Sequence, residues 1–119
     1  MLVCANNGNF PAEDMEQLRA ALNAACGEIW LGEGMDSYPC IAILCCEDGA
    51  SVNYFESEGG TAYVSIGDRK KHGTIDVNID GEMYQLDRGQ IVPQERILDI
   101  AAEFMKEMKL PGCVEWEKI

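Results

Sequence analysis

The stretch Ile91 to Glu117, IVPQERILDIAAEFMKEMKLPGCVEWE, predicts a helix, a stop and a short strand. Pro93 suits the first helical turn, where a missing N–H costs nothing. Glu95 puts a negative charge at the positive end of the helix dipole. Ile97, Ile100, Ala101, Phe104 and Met108 recur at helical spacing and form one apolar face, which Leu98 and Met105 widen. Lys106 and Lys109 fall in the last turn, where cations are favoured. Pro111-Gly112 then breaks the helix. From Cys113 to Trp116 the period is two, with Val114 and Trp116 on one face and Glu115 on the other. This pattern describes a helix folded back onto a sheet and followed by an edge strand.

The upstream chain must therefore supply the sheet. Leu2-Val3-Cys4 reads as a short strand and Asn6 to Asn9 as a loop. Pro11 to Cys26 reads as a first helix: Pro11 opens it, Glu13 and Asp14 sit in its first turn, and Gly27 ends it. Met15, Leu18, Leu22 and Ala25 make its buried face. Ile29 to Leu31 is a brief strand, and Gly32 to Pro39 a loop with two glycines, two acids and a tyrosine. Cys40 to Cys46 is almost wholly apolar, which suits a central strand covered on both faces. Asp48-Gly49 is a hairpin signal, and Val52 and Tyr54 continue on the next strand. Glu58-Gly59-Gly60 turns the chain again, and Ala62, Val64 and Ile66 line one face of the strand that follows. Ile75, Val77 and Ile79 alternate with polar residues up to a second hairpin signal at Asp80-Gly81, and Glu82 to Leu86 returns. The expected fold is α+β: one domain over residues 1–119, with an antiparallel meander of about five to seven strands and two helices packed on it.

A chain of 119 residues has enough length to bury a core without staples. The N-terminus MLVCANNGNF has neither a basic region nor a long apolar run, so the expected location is the cytoplasm. The six cysteines, without a C-x-x-C pair, are expected as free thiols. Net charge is −12, unevenly spread: residues 1–68 hold eleven acids against one base, Arg19. Such a field repels nucleic acid and anionic lipid and attracts a basic partner. The short run Arg69-Lys70-Lys71-His72 does not reverse it.

Asp76-Val77-Asn78-Ile79-Asp80-Gly81, with Asp87 at the twelfth position, matches the opening of a calcium loop. The strand-period Ile75, Val77 and Ile79 oppose that reading, because a strand sets Asp76, Asn78 and Asp80 in a line and not around an ion. A cysteine enzyme would need a base, and His72 is the only histidine, in a basic glycine-flanked loop. No catalytic residue, metal ligand or cofactor loop stands out, and a small metal-dependent or cysteine-dependent enzyme, or a calcium-binding module, using Asp76, Asn78, Asp80 and Asp87 is the alternative reading.

Ile91-Val92-Pro93, the helix through Phe104, Pro111, Cys113 and Val114-Glu115-Trp116, together with the upstream turn Ser65-Ile66-Gly67-Asp68, resemble the first-numbered immunity-protein family of bacterial polymorphic toxin systems. The resemblance covers the chain from about Ser51 onward. It implies a non-enzymatic cytosolic antidote to a cognate toxin, often one that resembles a nucleic-acid deaminase or carries a nuclease-like domain. Such a toxin has a basic cleft, and an acidic protein would be steered into it. The expected contact residues are turn acids and their neighbours: Glu33, Met35, Asp36, Tyr38, Glu47, Asp48, Glu56, Glu58 and Asp68. Met35 and Tyr38 would supply the apolar anchor.

Overall fold

A computed structural model describes residues 1–25, 27–34, 36–79 and 81–119. Among these the chain runs β1 (Leu2–Ala5), β2 (Gly8–Pro11), α1 (Met15–Ala24), β3 (Glu28–Gly32), β4 (Cys40–Cys46), β5 (Gly49–Phe55), β6 (Ala62–Ile66), β7 (Thr74–Ile79), β8 (Glu82–Asp87), β9 (Ile91–Val92), α2 (Gln94–Glu107) and β10 (Glu115–Lys118). The main sheet is antiparallel with order β10-β6-β5-β4-β3-β1-β2, and β9 also pairs with β5. The class is α+β, with β3 to β6 a true meander and β4 near its centre.

Both helices lie on one face. Leu18 and Ala21 of α1 and Ile97, Ile100, Ala101 and Phe104 of α2 are buried in one cluster with Val3, Ile29, Leu31, Ile41, Ile43, Val52 and Tyr54 of the strands. These strand residues share a face by their register, Ile41 opposite Tyr54 and Ile43 opposite Val52. Phe104 meets Tyr54 edge-on at 6.3 Å, and Trp116 of β10 closes the same cluster 6.4 Å from Tyr54. Its indole N–H donates to the Pro111 carbonyl at 2.6 Å.

Several local expectations need correction. Pro11 ends β2 and does not open α1, which begins four residues later behind Asp14; the Asp14 side chain accepts from the Gln17 N–H. Proline is tolerated there because β2 is an edge strand. Only Asn6-Asn7 remains as turn, since Gly8 and Asn9 pair back onto β1. Met15, at the first position of α1, is exposed, and the helix buries Leu18 and Ala21. Cys26, the expected end of α1, lies outside the described residues, while α1 itself stops at Ala24. α2 stops at Glu107, so Lys109 falls beyond it. The stop is Met108 in the left-handed region (φ 51°), ahead of Pro111-Gly112. The strands β7 and β8 form their own two-stranded sheet instead of extending the meander. The physical reason is that β10 takes the free edge of β6 and β9 the remaining edge of β5.

The place where β5 changes partner is closed by Ser65. Residues Asn53–Phe55 pair with β6, while Ala50 and Ser51 pair with β9. Val52 lies between the two ladders, and its N–H donates to the buried Ser65 hydroxyl at 3.0 Å. That hydroxyl donates in turn to the Gln90 carbonyl at 2.8 Å, so neither backbone group is orphaned. The N–H groups of Gly67 and Asp68 both reach the Gly89 carbonyl, at 2.9 and 3.2 Å. A Cβ on Gly67 would strike the Ile91 carbonyl, and one on Gly49 the Val92 carbonyl, so both positions demand glycine. The turn Ser65-Ile66-Gly67-Asp68 is thus a clamp on the segment that leads into α2. Among the described residues no helix is long and apolar enough to cross a membrane.

Candidate functional site

The strand register sorts the turn acids into two groups. Cys40 pairs with Phe55, so the β3–β4 loop and the β5–β6 turn emerge at one end of the sheet. Glu33, Asp36, Tyr38, Glu56 and Glu58 belong to that end. Cys46 pairs with Gly49, so Glu47 and Asp48 emerge at the opposite end, as does Asp68 after β6. Asp48 and Asp68 line one cavity of about 180 Å³ together with Lys71 and Arg88. The Asp68 side chain also accepts from the Lys70 N–H at 3.0 Å. Acids at this second end are therefore interspersed with cations, whereas the two loops at the first end carry acids alone and the cation near them is Lys118, opposite Tyr63. Met35 lies outside the described residues.

At the acidic end the sheet face turned away from the helices carries an exposed aromatic cluster. Trp30 points there because its neighbours Ile29 and Leu31 point into the core. At this end of β4 the same face presents Cys40 and Ala42, with Ala42 opposite Trp30, and Leu44 follows opposite Glu28. The small side chains of Cys40 and Ala42 leave room above the strand. Trp30 from β3 and Phe55 from β5 lean over it and stack, ring centroids 5.8 Å apart and planes 23° apart. The pair shields Cys40 and Ala42, which are buried, while Trp30 itself keeps 39% of its surface exposed. Tyr38 stands beside it, 46% exposed. Together with Cys4, Asp36 and Cys40 these two aromatics line a cavity of about 280 Å³. Asp36 adopts a left-handed φ of 58°, a conformation that aspartate tolerates better than most residues.

The other end of this face is met by the β7–β8 hairpin. The Tyr84 hydroxyl lies 3.1 Å from Glu82 Oε2 and 3.2 Å from Glu28 Oε2, two carboxylates competing for one proton. Hydrogen bonding to Glu82, followed by desolvation and the bond to Glu28, pushes the phenol up to about 12. Glu28 is two residues from Trp30 on the same strand face, so carboxylates flank the aromatic cluster from this side as well.

Cysteine chemistry has little support here. Burial pushes the Cys4, Cys40, Cys45 and Cys113 thiols up, with the Asp36 charge adding to the effect at Cys4. A nucleophilic cysteine needs the opposite shift. The five described cysteines are free thiols, and His72 is exposed in the β6–β7 loop. Asp76 and Asn78 lie along one exposed strand face, and Asp87 opposes Thr74 in the partner strand. Asn78 Oδ1 accepts from the Gly81 N–H at 2.8 Å, and Asp87 Oδ1 from the Gly89 N–H at 2.9 Å, so both side chains are engaged in turns. Asp80 lies outside the described residues. Among the described residues no group of three or more His, Cys, Asp or Glu is arranged to hold a metal ion.

Of the site residues expected from sequence, Glu33, Asp36, Tyr38, Glu56 and Glu58 share one end. Trp30 and Phe55, the aromatic centre of that end, were not among them. The one available signal was Trp30 standing between two core residues in a strand. No protein-family model matches this chain, and no curated protein matches it.

Proposed function

We propose that this protein is a cytoplasmic immunity protein that neutralises a cognate polymorphic toxin by stoichiometric binding over the toxin's basic active-site cleft. The observation that carries the reading is that Glu33, Asp36, Glu56 and Glu58 share one end of the sheet with the Trp30–Phe55 stack in a chain of net charge −12. Aromatic side chains in a partly desolvated patch are the usual energetic anchors of a protein interface, and rim charges set its on-rate. A toxin of the nucleic-acid deaminase or nuclease-like type must hold a polyanion, so its cleft is basic. An acidic plug enters it readily and keeps the substrate out. The resemblance from Ser51 onward supports the same reading. Its motif residues Ser65, Gly67, Pro111 and Trp116 build the fold and leave the acidic loops free to suit one toxin.

The test is co-expression with the toxin domain encoded by the neighbouring gene. Cells making both proteins are expected to survive and cells making the toxin alone to die. Continued killing with both proteins soluble overturns the assignment.

A further inference from the structure

We infer that the cavity beside Trp30 is the seat of a single arginine side chain projecting from the basic partner. The inference deepens the binding role proposed above and rests on it. Four observations meet at this spot. The cavity is about 280 Å³, just under the roughly 300–1,000 Å³ of small-molecule sites, so it suits one long side chain and not a cofactor. Its walls are mainly apolar, and Asp36 is the one carboxylate among the described residues that line it. No cation among the described residues pairs with Asp36. One face of the Trp30 ring is already taken by Phe55, which fixes the indole in place as a platform.

A fixed indole beside an unneutralised carboxylate selects for arginine in particular. Its planar guanidinium stacks on an aromatic face and offers a fork of N–H groups to a carboxylate in the same pose. A lysine ammonium is a compact, strongly hydrated charge that uses the flat ring less well. Raised Cys4 and Cys40 thiols stay protonated at neutral pH, so among the described lining residues Asp36 is the one that carries a charge to meet the cation. The acids Glu33, Glu56 and Glu58 at the same end bring the arginine in by long-range attraction.

The probe is the peptide acetyl-Gly-Arg-Gly-amide, titrated into the whole protein while the two indole N–H resonances are followed by NMR. Trp116, tied to the Pro111 carbonyl, serves as the internal control. The expected result is a saturable shift of the Trp30 resonance with Trp116 unmoved. The same peptide carrying citrulline, uncharged and nearly isosteric, is expected to give no shift, and the lysine peptide to bind at least about five-fold more weakly. Asp36→Asn keeps size and backbone preference and is expected to weaken the arginine peptide about five-fold; Trp30→Leu removes the platform. Equal binding of citrulline and arginine, equal binding by Asp36→Asn, or an unmoved Trp30 resonance overturns the inference. Failure here is separable from failure of the immunity reading. Protection of cells that persists undiminished in Asp36→Asn sinks the arginine seat alone. A Trp30 shift without protection leaves the seat standing and sinks the toxin assignment.

Discussion

The Ser65 hydroxyl satisfies two backbone groups that the sheet itself leaves without partners, the Val52 N–H and the Gln90 carbonyl. Ser65→Ala strands the buried Val52 N–H and frees the part-buried Gln90 carbonyl, and the expected cost is about 1–3 kcal/mol for the orphaned N–H, read from urea unfolding. An unchanged midpoint would show that the junction between β6 and β9 closes some other way. Cys113 gives a second residue-scale expectation. Burial pushes its thiol up to about 11, with the neighbouring Glu103 carboxylate adding to the shift. Its alkylation rate should climb through pH 8.5 and level off only near 11, as followed peptide by peptide in mass spectra; a plateau near the ordinary thiol value would contradict the burial. Raised thiol values at Cys4, Cys40 and Cys45 likewise predict slow alkylation at neutral pH.

α2 is the element that holds both motif segments in place, and Phe104 is its centre, fully buried against Tyr54. Phe104→Ala is expected to cost about 3–5 kcal/mol, measurable in the same unfolding experiment. On the same helix, Glu103 accepts from the N–H groups of Gly112 and Cys113 at 2.9 and 3.1 Å, and those bonds hold its carboxyl below the usual range. A depressed carboxyl stabilises the fold above its unfolded value of about 4.5, and the contribution is lost as pH falls through the lower folded value. Glu103→Gln should therefore lower stability at neutral pH and narrow its gap to the parent as the solution is acidified; a constant gap would show that the charge is not what matters. α2 was legible because every one of its signals is local: apolar spacing, Glu95, and a chain that must turn before Pro111. The β4–β5 hairpin was legible for the same reason, at Asp48-Gly49. Strand β2, Gly8–Pro11, was not, because Gly-Asn-Phe-Pro has no strand preference and pairs only through β1. Two-residue β9 exists only because Gly49 and Gly67 let its carbonyls approach. The aromatic stack was hidden because Trp30 and Phe55 meet across β4, a contact set by register between three strands and by small residues at Cys40 and Ala42. The acids were visible singly, but which of them share an end depends on that same register.

At the scale of the whole molecule the sheet separates the charge. One end pairs Glu33, Asp36, Glu56 and Glu58 with exposed aromatic surface, while the other mixes Asp48 and Asp68 with Lys71 and Arg88. Reversing Glu33 and Asp36 together should therefore slow association with the proposed toxin more than reversing Glu47 and Asp48, with both variants still folded. Equal effects would mean that the partner senses only net charge. The most direct measurement is a calorimetric titration of the protein with its proposed partner, the product of the adjacent gene, repeated at low and at physiological salt. The account predicts a one-to-one complex whose affinity falls as salt rises and falls further in Trp30→Leu. Absence of binding heat at both salt concentrations, with each protein folded, would contradict it.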